Sequence, residues 1–350
     1  MRDMVTRFNM NIQQSVQTPL SITGLRSRSY GAQLSVIQEI SREENGFRSF
    51  LVSYQSDGLT VFGRINLPSG KIQPQGFPAV VFAHGFSPDP LDPNYFQRPY
   101  YETWINAYAD AGFAVIMPGY RGHAIIDGNK AGGSEYIDKY AHLYLTSPFY
   151  AIDVLNMMAG LSTLSSGGEG DLGDYPQLEN CLDDENIFLS AHSMGGDVAL
   201  AVLAIEENFR AASIWAGVCA DIRDVAEFYT AYEALEKKLD EPLETLFNEK
   251  WRMVEAAAQK TPFLIDDINA LNGLFYLDSL AAPIILHHGT RDTAVPDEWS
   301  VNLHQKLGEL GKESKLYLYE GNNHELSLNN QYLVALERDV IFFNKNIKKQ

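Results

Sequence analysis

Three things are scarce in this chain. Cysteine is the first, with only Cys181 and Cys219 in 350 residues. Two cysteines make no disulfide framework. Placed towards opposite edges of the sheet read below, they are expected to stay unbridged. No set of His, Cys, Asp and Glu has metal-ligand spacing, and nothing resembles a phosphate-binding loop, so neither metal nor cofactor is expected. Long apolar runs are the second absence. None reaches the roughly 18 residues that cross a bilayer, so no membrane insertion is expected. The opening residues, Met1 to Arg7, have neither an apolar core nor a small-residue cleavage site. The expectation is a cytoplasmic protein, or a secreted or periplasmic one if a signal peptide has been removed. Positive charge is the third: 27 Lys and Arg face 45 Asp and Glu, a formal net charge of −18. So acidic a surface disfavours nucleic acid and anionic membranes as partners. Its plainest meaning is solubility.

Hydrophobic residues are plentiful at 45%, enough for a large core. Residues 1–45 are polar and weakly periodic and read as an N-terminal extension with some helix. Phe47 to Tyr54 and Leu59 to Leu67 read as strands, with Ser56-Asp57-Gly58 as a hairpin turn. Strands then alternate with helices. Ala79 to Ala83, Phe113 to Met117, Asn186 to Ser190, Ala212 to Ala216, Ile284 to His287 and Lys315 to Tyr319 read as strands. Tyr100 to Ala111, Tyr150 to Leu164 and the tail carrying Leu333, Leu336, Val340, Phe343 and Ile347 read as helices. An antiparallel start followed by this alternation predicts an α/β fold, a mostly parallel sheet with helices on both faces. The Gly-rich stretch Asp127 to Gly133 reads as a mobile loop.

Residues 221–272 break the alternation, with no good strand. Asp240 is a candidate cap for a helix with Pro242 in its first turn, presenting Leu243, Leu246, Phe247, Trp251 and Val254 on one face. An excursion on the C-terminal side of the sheet is expected to lie over a site there as a helical cap; a peripheral insertion is the plainer alternative. The domain reading is thus an extension (1–45), a catalytic domain (46–220 and 273–350) and a cap (221–272).

Six residues carry the most information: Ala191-His192-Ser193-Met194-Gly195-Gly196. They join a buried strand to Asp197-Val198-Ala199-Leu200, the start of a helix. A serine on a tight strand-to-helix turn between small residues is a nucleophile elbow. Serine needs a base, a carboxylate to orient the base, and donors for an oxyanion. His324, on the loop after the last strand, is the candidate base; a lone loop histidine is more often simply solvated. Asp292, directly after the strand end His287-His288-Gly289, is the candidate acid; its plainer reading is an Asx-turn or a helix cap ahead of Glu298. Asp266 and Asp267 compete only if the insertion folds differently. The turn His84-Gly85-Phe86 supplies one candidate oxyanion donor, the Phe86 N–H, and Met194 supplies the other. His84, His192, His287 and His288 are assigned to structure and packing.

Together these stretches resemble the α/β-hydrolase superfamily, and within it the branch of prolyl oligopeptidase, dienelactone hydrolase and many bacterial and feruloyl-type esterases. Tyr120-Arg121-Gly122-His123, Val295-Pro296 and Gly321 to His324 add to the match, which spans about residues 47 to 347. The resemblance implies a Ser193–Asp292–His324 triad, an oxyanion hole of Phe86 and Met194, and a bracing role for Tyr120-Arg121-Gly122. The sequence departs at Ala191, where the elbow usually has Gly, and after Gly122, where a Gly-x-Ser continuation is missing. Some 45 residues before the sheet are too few for the β-propeller that peptidases of this branch usually carry.

The expected activity is hydrolysis of carboxylic esters through an acyl-enzyme, on a small-molecule substrate. A serine peptidase or amidase is the alternative. Tyr95, Phe96, Tyr100, Tyr101, Tyr136, Tyr140, Tyr144, Phe149 and Tyr150 suggest aryl or feruloyl-type esters if they line the mouth, and core packing if they do not. A homodimer is the one protein partnership considered.

Overall fold

The computed structural model describes residues 20–41, 47–70, 72, 74–92, 94–97, 99–165, 175 and 178–349. Much of the expected N-terminal extension (1–19 and 42–45) lies outside these. The described part holds a single turn of helix, α1 (Ile22–Arg26), capped by the Ser21 hydroxyl at 3.1 Å from Gly24 N. It also holds a strand absent from the sequence reading, β1 (Leu34–Ser41). Its pairing with the next strand shifts register twice, between Val36 and Gln38 and between Glu39 and Ser41. Such irregularities blur the two-residue alternation by which a strand is recognised.

The hairpin follows as expected. β2 (Phe47–Ser56) and β3 (Leu59–Pro68) turn at Asp57 and Gly58, both left-handed with φ of 54° and 78°. That is what a two-residue hairpin turn demands. Then come β4 (Phe77–Ala83), α2 (Pro99–Asp110), β5 (Ala114–Pro118), β6 (Ile125–Ile126), β7 (Asn129–Lys130), α3 (Ser134–Tyr140) and α4 (Ser147–Ser165). The second half runs β8 (Leu182–His192), α5 (Gly195–Ile205), β9 (Ala212–Trp215), α6 (Ile222–Lys237) and α7 (Leu243–Ala258). It finishes with β10 (Ile284–Gly289), α8 (Asp297–Glu309), β11 (Ser314–Tyr319) and α9 (Gln331–Lys345).

Nine strands form one sheet in the order β1-β2-β3-β5-β4-β8-β9-β10-β11. The contacts from β1 to β5 are antiparallel, and those from β5 through β4 to β11 are parallel. Side chains alternate between two cores. From β4, Ala79, Val81 and Ala83 join a core with α1, α4 and α5, whereas Val80 and Phe82 join one with α2 and α9. The second core is pinned by a buried carboxylate. Asp339 of α9 accepts hydrogen bonds from Tyr108 at 2.7 Å, Ser213 at 2.7 Å and Trp215 at 2.8 Å, and contacts His287 Nε2 at 2.9 Å. No helix among the described residues is long and apolar enough to cross a membrane.

Three expectations change. The Gly-rich stretch is an ordered hairpin of β6 and β7, tied down where Gly132 N donates to Thr60 O at 2.8 Å. The two cysteines are free and buried, but for a different reason than supposed. Cys181 precedes β8 and Cys219 follows β9, so they flank opposite ends of neighbouring parallel strands rather than opposite edges of the sheet. In the 221–272 segment there are two long helices. Asp221 caps α6 by accepting from Asp224 N at 2.8 Å, while Pro242, not Asp240, occupies the cap position of α7.

Candidate active site

The elbow is built by close backbone approaches. Ser193 takes φ of 58°, a left-handed conformation that costs a non-glycine residue energy. The β9 segment and the turn itself hold it there: its N–H donates to Trp215 O at 2.9 Å, and its carbonyl accepts from Gly196 N at 2.8 Å and Val218 N at 2.9 Å. Glycine at 195 is obligatory, since a Cβ there falls 2.0 Å from Ala83 O. At Gly196 it falls 2.6 Å from Gly217 Cα. Ala191 is different. It is still within β8, paired with Ala83 and Ile214, so its methyl is accommodated in the core.

The turn after β4 packs directly on the elbow. A Cβ on Gly85 falls 2.9 Å from Ser193 Cβ. Gly85 N donates to Tyr101 Oη at 2.7 Å, which fixes the turn. The next amide, Phe86 N–H, and the Met194 N–H have no acceptor among the described residues. Phe86 is 62% exposed. Beneath the turn, His84 is structural as expected: its Nε2 lies 2.6 Å from Tyr95 Oη and its ring 4.1 Å from that of Tyr120. The adjoining brace is an ion pair. Arg121 N, Nε and Nη2 all reach the fully buried carboxylate of Asp153, at 2.7, 3.0 and 2.7 Å. The Arg121 guanidinium lies 5.1 Å from the rings of both Tyr136 and Phe149.

Asp292 and His324 come together directly. Asp292 Oδ2 lies 2.6 Å from His324 Nδ1 and 3.1 Å from His288 Nε2, while Oδ1 accepts from Ala294 N at 2.8 Å and Val295 N at 3.0 Å. The Asx-turn and the contact with His324 therefore coexist, one on each oxygen. Burial works to raise the Asp292 pKa, but these hydrogen bonds prevail and hold it well below the usual carboxylate range. The two loops are laced together. Arg291 N donates to Asn322 O at 2.8 Å, and Gly321 N donates to Thr290 Oγ1 at 2.8 Å.

With Nδ1 on the carboxylate, His324 keeps Nε2 for other work, and its side chain is 14% exposed. Ser193 and His324 are not hydrogen-bonded to each other in this structure. They are linked through His192, whose buried ring is 4.7 Å from that of His324. Burial first, and then the neighbouring imidazole of His324, push the His192 pKa down to about 3.

Two contributors escaped sequence reading. His288 was assigned to structure, yet it bonds the candidate acid; the four-residue spacing across the strand-end turn was the available signal. Tyr229 of α6 donates its hydroxyl to Ala294 O at 3.1 Å, in the acid loop. Its ring stacks on Tyr144 at 5.6 Å. Val218, Val225, Val295 and Trp299 form an apolar cluster against which Tyr144, Phe228 and Tyr229 pack. This cluster bridges the loop after β9, the acid loop, α6 and α8. By contrast Tyr95, Phe96, Tyr101, Tyr140, Phe149 and Tyr150 are buried core residues, which removes most of the aromatics expected at a mouth. The Tyr100 side chain lies outside what is described.

Comparison with known proteins bears on the family and the fold. Residues 174–350 match the family model described as "Prolyl oligopeptidase family". Esterase YjfP of Escherichia coli (strain K12) is 26% identical over 275 residues, covering 77% of this chain and 89% of YjfP. The acetyl xylan esterase of Paenibacillus sp. R4 superposes with a TM-score of 0.58 at 16% identity, over 96% of this chain and 98% of that one. A puromycin-hydrolyzing peptidase of Mycobacterium tuberculosis superposes with a TM-score of 0.57 at 17% identity. That match covers 90% of this chain but 41% of the peptidase, so this chain spans less than half the length of that relative. The shared architecture is the α/β-hydrolase fold.

Proposed function

The chain belongs to the prolyl oligopeptidase family of serine hydrolases, and on that premise we propose that it hydrolyses carboxylic esters through an acyl-enzyme. The observation that carries the catalytic assignment is the 2.6 Å contact of His324 Nδ1 with Asp292 Oδ2, on loops laced to each other beside a left-handed Ser193. Ser193 Oγ attacks the ester carbonyl as His324 Nε2 takes its proton. The Asp292 carboxylate, kept ionised by its hydrogen bonds, orients the ring and stabilises the imidazolium. The tetrahedral oxyanion is received by the Phe86 and Met194 N–H groups, which no other acceptor occupies. His324 then protonates the departing alcohol, and water repeats the cycle on the acyl-enzyme. The serine–histidine hydrogen bond forms in the substrate complex; it is commonly loose in the free enzyme.

The segment 221–272 acts in this reading as a cap over the substrate. Support comes from Tyr229, which ties α6 to the acid loop, and from the apolar cluster touching both Val218 and Val295. The ester preference over peptides rests on relatives: the esterases that match do so over most of their own length, whereas this chain covers less than half of the matching peptidase.

The test is hydrolysis of p-nitrophenyl acetate beside an aminoacyl p-nitroanilide, with wild type and Ser193→Ala. The expected result is ester turnover well above amide turnover, and a loss of at least about 1,000-fold in Ser193→Ala. Unchanged activity in that variant overturns the assignment of Ser193, and faster amide than ester cleavage overturns the substrate class.

A further inference from the structure

One oxygen of Asp292 faces a peptide group that α6 holds from the other side. The Val295 N–H donates to Asp292 Oδ1 at 3.0 Å, beside the Ala294 N–H at 2.8 Å. The carbonyl that shares a peptide group with the Val295 N–H is that of Ala294. It accepts the hydroxyl of Tyr229, on α6, at 3.1 Å. A peptide group is a stiff plane, and in its trans form the C=O and N–H point to opposite edges. One rigid plate thus has Tyr229 at one edge and the Asp292 carboxylate at the other. The second oxygen of that carboxylate, Oδ2, lies 2.6 Å from His324 Nδ1.

The plate is gripped along its length. Val295 is buried, in one apolar cluster with Val225, a turn before Tyr229 on α6, and with Trp299 in the first turn of α8. Phe228 of α6 lies edge-on to Trp299 at 5.5 Å. Helix α6 therefore engages two consecutive residues of the acid loop, Ala294 by a hydrogen bond and Val295 by packing. A hydrogen bond accepted at a C=O also polarises the peptide and strengthens the bond its N–H donates. A second tie of α6 avoids the acid loop: Tyr144 donates its hydroxyl to Glu233 Oε1 at 3.4 Å.

Resting on the ester-hydrolase reading, we infer that Tyr229 is a positioning residue, through which α6 sets the Asp292 carboxylate. With α6 seated, the 294–295 peptide presents its N–H to Oδ1. With α6 lifted, Asp292 keeps its other partners but loses the alignment of this one. The acid is then best held when the segment 221–272 is closed on the body, so substrate that seats α6 also readies the triad.

The experiment pairs two hydroxyl deletions in the full-length protein, Tyr229→Phe and Tyr144→Phe. Each keeps its ring, and only the first touches the 294–295 peptide. On p-nitrophenyl acetate, Tyr229→Phe is expected to lower kcat about 3- to 10-fold, the scale of one neutral hydrogen bond, with KM little changed. Fluorophosphonate labelling of Ser193 is expected to slow in step with kcat. Tyr144→Phe is expected to leave kcat close to that of wild type. Amide hydrogen exchange at Val295 needs no turnover and is expected to quicken at least about threefold in Tyr229→Phe only. An unchanged kcat in Tyr229→Phe overturns the inference. So does an equal loss of kcat in both variants, or unchanged exchange at Val295. Wild type that fails to label refutes the hydrolase reading instead, and exchange at Val295 then still decides whether Tyr229 holds the acid loop.

Discussion

His288 and His324 meet at a single atom, Asp292 Oδ2, at 3.1 and 2.6 Å. The buried His288 also faces Val295 O at 3.1 Å through the same Nε2, so that nitrogen carries the proton. Its Nδ1 accepts from the Ser300 hydroxyl at 2.7 Å. Ser300 and His288 thus hold the carboxylate that holds His324. Replacing His288 by Leu removes one charge-assisted hydrogen bond, worth about 1.5–3 kcal/mol. The expected outcome is a fall in kcat of about 10- to 100-fold with little change in KM, and an equal slowing of fluorophosphonate labelling. Steady-state kinetics on p-nitrophenyl acetate check it.

Glycine at 195 and glycine at 308 predict opposite outcomes for the same change. A methyl at 195 falls 2.0 Å from the Ala83 carbonyl, so Gly195→Ala must displace the elbow from the turn that carries Phe86. Activity is expected to drop by at least about 100-fold, the scale of losing one oxyanion donor. Gly308 lies in α8 with nothing within 4 Å of an added Cβ. Gly308→Ala is expected to keep activity and to gain about 0.5–1 kcal/mol from helix propensity. Urea unfolding and ester kinetics on the two variants give the comparison.

The Arg121–Asp153 pair is almost without solvent exposure, at 1% and 0% for the two side chains. Asp153→Ala leaves the buried guanidinium with only its 3.3 Å contact to the partly exposed Asp57 and is expected to cost about 3 kcal/mol. Removing both charges, as Arg121→Met with Asp153→Leu, is expected to recover much of that loss. A double-mutant cycle by chemical unfolding measures the coupling.

His192 sets a pH dependence of stability. In the folded protein its pKa is about 3, whereas an unfolded histidine titrates near 6.5. Between these values the unfolded state binds the proton and the folded state does not, so this contribution to stability falls as the pH is lowered through 6.5. From pH 7.5 to 5.5 the loss is about 1.4 kcal/mol. His192→Gln is expected to lose about that much less over the same interval, measured by urea unfolding at both pH values.

The hairpin, the parallel strands and the elbow were legible because each is a local pattern. Two-residue alternation, a Asp-Gly turn and small residues around a serine are all contiguous in the chain. The turn at Asp292 was legible too: one oxygen makes the Asx-turn and the other the contact with His324. β1 was hidden by its register shifts, since a bulged edge strand loses the alternation. Tyr229 and Ala294 are 65 residues apart, and no local feature of α6 announces their contact.

Asp339 has a consequence for the order of biosynthesis. It follows every described strand in the chain, yet Tyr108, Ser213, Trp215 and His287 from earlier segments all converge on its carboxylate. While the polypeptide is still emerging, those four groups have only one another, Ser190 and Tyr319 as partners, and the carboxylate that joins them is not yet translated. The nascent protein can pair its strands early, but this side of the sheet closes only after α9 has been made. A ribosome stalled before residue 339 therefore displays a half-covered sheet, a natural substrate for a chaperone.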